Sequence, residues 1–307
     1  MTPAFRDQEV LQQVKDAAAG GGIAAGETKA RELMAVHYDL GYLSEAYLTA
    51  WECRVVALQH LGRHADAAEG FSALADAVAS VFGENDFRAI RLRNDSGGQV
   101  GLLGRYDQAE AGHRYVLALA GKAQPRQHRM QLRLSAVHGL IFVHNMRGQY
   151  AEAESMARAA IRKAETSAGV PRSTFTSLHC ALAKSLNGQG RHAEADQKMQ
   201  YFPRSTGVLF SLTVARLGLG RLDEAESDAR EALRHTEGHF GPPHHVRLDA
   251  ALQLGIVLTR QGKIDEAGRL LQATAQAWTE HFGGQHPKTI AALDALAEIG
   301  RRQDEAN

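Results

Sequence analysis

The chain predicts an all-α fold, a solenoid of antiparallel helix pairs, on three observations. The pattern Gly-x-[Tyr/His/Leu/Ile]-x-[Asp/Glu/Gln]-Ala begins at Gly62, Gly104, Gly148, Gly190, Gly220 and Gly262, and four of the five intervals are 42 or 44 residues. A unit of that length holds two amphipathic helices that cannot bury their apolar faces alone, so neighbours must stack and share a core. The composition is rich in Ala, Leu, Arg and Glu, and the seven prolines fall outside the expected helix centres, as helix propensity demands.

Taken in order, residues 1–43 precede the repeats and contain two expected helices, 5–19 and 27–40, separated by Gly20-Gly21-Gly22. They are expected to cap the first repeat's apolar face, as solenoid ends require. The stretch LGYLSEA at Leu40 imitates the anchor pattern, but Gly41 and Gly62 are too close for a whole unit. Residues 44–285 are expected to form six helical hairpins. Each anchor reads as a helix stop, where Gly adopts the left-handed conformation, followed by a helix start that favours acidic groups. The anchor alanines, Ala67, Ala109, Ala153, Ala195, Ala225 and Ala267, are small enough for close helix approach. Seven residues before each Gly stand Val55, Gly97, Ile141, Ala183, Thr213 and Gly255, preceded in four repeats by Leu140, Leu182, Leu212 and Leu254. Several of these are small and face the alanines, which predicts tight packing of the pair. The interval from Gly190 to Gly220 is 30 residues. There Tyr201-Phe202-Pro203 should end the second helix after roughly two turns, because Pro cannot continue it, and a local bend is expected. Residues 286–307 are expected to be a capping helix and tail.

This pattern resembles the tetratricopeptide repeat, and its 42-residue period is similar to the longer kinesin-light-chain variety. Phe82-Gly83, Phe240-Gly241 and Phe282-Gly283 each lie twenty residues after an anchor Gly. The last opens FGGQHPKTIAALDALAE, similar to the family's Gly-x-x-His-Pro-x-Thr helix start, where Pro287 supplies a fixed φ. The repeats starting near Ala123 and Ala168 lack the Phe-Gly step, so their loops should differ in shape. The resemblance covers Ser44 to Arg301. It implies a right-handed superhelix whose inner face, lined by the first helix of each pair, receives an extended peptide or a partner's helix. The family holds peptide backbone with Asn and carboxylates with Lys or Arg. An Asn amide both donates and accepts, so it suits a backbone of any sequence. Basic groups add charge-assisted specificity. Counting back ten and three residues from each Gly gives Asn94, His138, Asn145 and Asn187, with Arg91 and Lys184 one turn away from Asn94 and Asn187. These six are the expected peptide-binding residues, and a protein or peptide is the expected partner. In the fifth and sixth repeats the same positions hold Phe210, Leu217, Leu252 and Thr259, which predicts an apolar far end.

Other classes fare worse. Lys plus Arg equals Asp plus Glu at 35 each, so no net field favours nucleic acid or an anionic membrane. No apolar stretch approaches a membrane span. With two cysteines and no signal organisation, a reduced, cytoplasmic setting is expected. Asp95-Ser96-Gly97-Gly98 matches a serine-protease fragment but falls in a repeat helix, so no catalytic residue is assigned. Gly97, Gly98 and Gly101 there read as room for a packed neighbour in preference to an open backbone surface. His235, His239, His244 and His245 lack a helical pair spacing, so no metal is expected. No phosphate loop or dinucleotide motif implies a cofactor. Two alternatives remain: a small-molecule pocket using His138 or His144 (the latter expected to pack in the core), and a peptide-sensing regulator with its DNA-binding part in the first 40 residues. The second has too few residues and no basic excess.

Overall fold

The computed structural model describes residues 5–38, 43–237, 240–241 and 244–306. Among them are fourteen α-helices, one short 3-10 helix and no β-strand. The chain divides into two units, residues 1–139 and 140–307.

The first unit opens with α1 (Gln8–Tyr38), two helical stretches merged across a kink at Gly22, where φ is 76°. Packed on α1 is α2 (Glu45–His60), followed by α3 (His64–Phe82), α4 (Phe87–Leu102) and α5 (Tyr106–Ala120). Helix α6 (Arg129–Met146) contains the division between the units. The expected helix over 5–19 starts later than the sequence suggested. Residues 5–7 lie outside the helix because the Asp7 carboxylate accepts from Val10 N–H at 3.0 Å, starting the helix at Gln8. The Leu40-Gly41 imitation of the anchor lies outside the described residues.

The second unit continues with α7 (Tyr150–Glu165), α8 (Arg172–Gly188), α9 (His192–Met199), α10 (Thr206–Gly218), α11 (Leu222–Glu237), α12 (His245–Arg260), α13 (Ile264–Phe282) and α14 (Pro287–Ala306). Helix α9 has 8 residues, ending two residues before Tyr201 as Pro203 requires.

The anchors behave alike in both units. All six glycines sit at φ between 73° and 78°. The next N–H reaches five residues back, as from Arg63 to the Leu58 carbonyl at 2.9 Å and from Arg191 to Leu186 at 2.9 Å, the pattern of a Schellman stop. The six anchor alanines are fully buried. At Phe-Gly steps a polar side chain three residues after Gly starts the next helix. Asp86 accepts from Arg88 N–H at 2.9 Å, His244 from Val246 at 3.2 Å and His286 from Lys288 at 3.2 Å. His286 also stacks on Trp278, and Thr289 Oγ1 donates to the Gly283 carbonyl at 2.8 Å. Gly, His, Pro and Thr therefore each have a mechanical role in that step. The two loops without it differ as expected: one runs through Pro125 into the 3-10 turn Arg126–His128, the other through Gly169 at φ 76°.

The packing role expected of the helical glycines holds at Gly97 and not at Gly98. A Cβ on Gly139 would lie 2.3 Å from the His113 ring, and one on Gly97 would lie 3.1 Å from it. Two neighbouring helices thus omit a side chain to admit one imidazole. Gly98 has open space.

Candidate functional site

In the first unit, three side chains on one stripe of α2 face the non-helical residues 5–7. Thr49 and Glu52 are buried, and Glu45 is exposed at the helix start. Glu52 stands ten residues before its anchor Gly, the position that Asn94 and His138 hold in the next repeats. Its carboxylate accepts from Phe5 N–H at 3.1 Å, Thr49 Oγ1 accepts from Asp7 N–H at 3.1 Å, and Glu45 accepts from Arg6 N–H at 3.4 Å. Thr49 is oriented for this by donating its own hydroxyl to the Glu45 carbonyl at 2.7 Å. The Phe5 ring is 1% exposed, joins the core formed by Tyr47, Leu48 and Phe71, and lies under the Arg88 guanidinium at 5.0 Å. Arg88 is held by two hydrogen bonds of 2.9 Å to the Asp86 carboxylate.

Arg91 on α4 pairs with Glu52, and Asp95 lies one turn further on, 4.0 Å from Arg91. Burial drives the Asp95 carboxyl up to about 7, against the lowering effect of Arg91 and with a further rise from Glu52. Its Oδ2 is buried without a hydrogen-bond partner, which raises the cost of ionisation. Asn94 Oδ1 meets His113 Nδ1 at 2.9 Å. Burial, aided by neighbouring His138, holds His113 down to about 4, and burial lowers His138 as well. Arg91, Asn94 and His138 thus lie half-buried among polar groups of their own unit.

In the second unit the structure places Asn145 and Asn187 in the seams between successive first helices. Asn145 is 3% exposed, donates to the Ala181 carbonyl at 3.1 Å and accepts from Ser185 at 2.9 Å. Asn187 is 8% exposed, donates to the Ser211 carbonyl at 3.0 Å and meets His192 Nδ1 at 3.1 Å. Lys184 is exposed; its ammonium lies 3.1 Å from Met146 sulfur and 5.5 Å from the Phe142 ring centre. Protein surrounding Lys184 removes part of its hydration shell and, with Lys288 adding repulsion against Asp249, lowers it to about 8. Lys288 and Asp249 pair at 2.7 Å. His144, expected in the core, is half-buried and meets Gln149 at 2.8 Å. It lies in the last turn of its helix beside the anchor, where the polar Gln149 draws the ring outward.

A set of residues the sequence reading missed connects the repeats of the second unit. At three anchors the basic residue immediately after the Gly pairs with the acidic residue six after the preceding anchor: Arg191 with Glu154 at 2.7 Å, Arg221 with Asp196 at 2.6 Å, and Lys263 with Glu226 at 2.7 Å. Burial opposes ionisation of Glu154, but bonds from Gln189, Arg158 and Arg191 hold it down to about 2. At Glu226 the Lys263 bond dominates, and Gln261 and Arg230 assist against burial, again to about 2. The signal was present in the anchors themselves, five of which read Gly-Arg or Gly-Lys.

Burial pushes the two thiols, Cys53 and Cys180, up to about 11. Among the described residues no helix is long and apolar enough to cross a membrane.

Residues 246–306 match the tetratricopeptide repeat family model. No curated protein sequence matches the chain. Among solved structures, the chain is similar to a tetratricopeptide repeat protein from Parabacteroides merdae, with 12% identity, a TM-score of 0.51, and coverage of 95% of this chain and 98% of that one. It is similar to a Rap protein complexed with Competence and Sporulation Factor, with 12% identity, a TM-score of 0.58 and coverage of 97% and 88%. A monomeric IFIT1 mutant bound to m7Gppp-AAAA shows 14% identity, a TM-score of 0.51 and coverage of 98% and 72%. At these identities the likeness is one of fold. Residues 246–306 are thus similar in sequence to the tetratricopeptide repeat, and the chain as a whole shares the helical-repeat fold of these structures.

Proposed function

We propose that the chain is a non-catalytic scaffold that holds an extended protein segment on the stripes presented by the first helices of its repeats. One observation carries this reading. Residues 5–7 lie outside any helix, against α2, with three consecutive backbone N–H groups donated to side chains of that stripe. A polypeptide backbone therefore fits the surface, and the acceptors that hold it read no sequence, as a general peptide binder requires.

Arg91, Asn94 and His138 would serve the first unit and Lys184 the second. Asn145 and Asn187 act beneath the surface, fixing the helices that present Lys184. A carboxylate from a bound segment would pair with the exposed Lys184 ammonium and favour its charged form. The Rap protein was solved complexed with Competence and Sporulation Factor, and binding of a partner on the repeat helices is the mode we assign here by analogy of fold.

The test is selection of displayed random peptides on the full chain, followed by calorimetry of the enriched sequences. Binding should weaken at least tenfold, about 1.4 kcal/mol, on Lys184→Ala or Arg91→Ala with helicity unchanged. Failure of any peptide to enrich over an unrelated helical protein would sink the reading.

A further inference from the structure

We propose that residues 5–7 are a tethered occupant of the first repeat's binding stripe, which an incoming peptide must displace, and that the displacing peptide carries an aromatic residue in the place of Phe5. This rests on the peptide-binding reading above and adds its regulation and its specificity.

The segment uses the stripe as a ligand would. Its backbone is non-helical, its amides meet Glu52, Glu45 and Thr49, and its one deeply buried side chain is an aromatic ring beneath Arg88. The Arg6 residue is exposed, and the Asp7 carboxylate is taken up by the start of α1. Recognition thus falls on the ring and on three N–H groups, which admits any sequence with an aromatic residue followed by two residues other than Pro. The stripe is also built to survive the segment's departure. Glu52 keeps its pairing with Arg91, Thr49 keeps its bond to the Glu45 carbonyl, and Arg88 keeps its two bonds to Asp86 and its place 4.0 Å over the Phe82 ring. The acceptors stay aimed when the amides leave. A preorganised site with a local, tethered competitor loses affinity for a peptide in solution in proportion to the fraction occupied.

The experiment compares the full chain with one beginning at Gln8, using a fluorescein-labelled peptide of residues 4–8 and fluorescence anisotropy. The peptide should bind the shortened chain at least tenfold more tightly than the full chain, and a peptide with Ser in place of Phe should bind neither. Equal binding to both chains, or no binding to a shortened chain of unchanged helicity, would overturn the proposal. If the shortened chain does not fold, full-length Phe5→Ser serves instead: the peptide should bind it at least tenfold more tightly than the unsubstituted chain, and trypsin should cut after Arg6 faster. No change in either overturns the proposal. A display-selected peptide bound equally by the full and shortened chains would remove the occupant and leave the peptide reading standing, whereas binding of no peptide to any form removes both.

Discussion

Asn187 on α8 donates its side-chain amide to the Ser211 carbonyl on α10 at 3.0 Å, and Asn145 on α6 makes the same bond to Ala181 on α8 at 3.1 Å. The sequence separations are 24 and 36 residues. Their difference equals the shortening of the fourth repeat, 42 less 30 residues between anchors. The loss therefore falls between the two first helices, on α9 and its loop, and the bond between those helices is retained.

Asn187→Ala is expected to cost about 1–2 kcal/mol, since it removes a bond in a buried seam and strands the His192 ring. Asn145→Ala should cost a similar amount. Urea midpoints of the two variants measure this; values equal to the unsubstituted chain would return both amides to the solvent side of their helices.

Gly139→Ala should destabilise by about 1–3 kcal/mol through collision with the His113 ring, and His113→Ala in the same chain should recover part of the loss. Gly98→Ala, with nothing near its added methyl, should instead stabilise by about 0.5–1 kcal/mol from helix propensity. Thermal melts of the three chains give the order directly.

The pairs between repeats set an acid limit. Glu154 and Glu226 are held at about 2 in the folded chain against an ordinary 4.5. Depressed carboxyl values contribute stability that is complete above about 4.5 and is lost as pH falls through the window down to about 2. Glu154→Gln with Glu226→Gln should flatten the fall in urea midpoint between pH 5 and about pH 3. A fall as steep as in the unsubstituted chain would assign acid sensitivity to other groups.

Asp95 works in the opposite sense. Its folded value of about 7 lies above the ordinary 3.8, so folding takes up a proton in that window and stability declines as pH rises from about 4 to 7. Asp95→Asn should therefore raise the melting temperature at pH 8 and leave it nearly unchanged at pH 4. A drop at pH 8 would mean that attraction to Arg91 outweighs desolvation.

The hairpins were legible in the sequence because their causes are local. A Gly that must take positive φ, an Ala that must admit a neighbouring helix and a Pro that must end one act within a few residues, as at Gly62, Ala67 and Pro203. The site was legible only in part. The polarity of Asn145 and Asn187 marks them as unusual, but their orientation depends on the next helix, whose carbonyls lie 36 and 24 residues away. The pairs Arg191–Glu154, Arg221–Asp196 and Lys263–Glu226 span 37, 25 and 37 residues and acquire meaning once the repeats are stacked. Residues 5–7 read as helix because nothing in their own composition announces that α2 will accept their amides.

That basic-to-acidic linkage gives the second unit a grammar for growth. Every repeat from the anchor at Gly190 to that at Gly220 offers an acid forward and a base backward. An in-frame duplication of such a unit would arrive with both halves of its coupling already in place, so the array could be lengthened by copying alone, whereas transplanting a repeat with the polarity reversed would set like charges against each other at both joints.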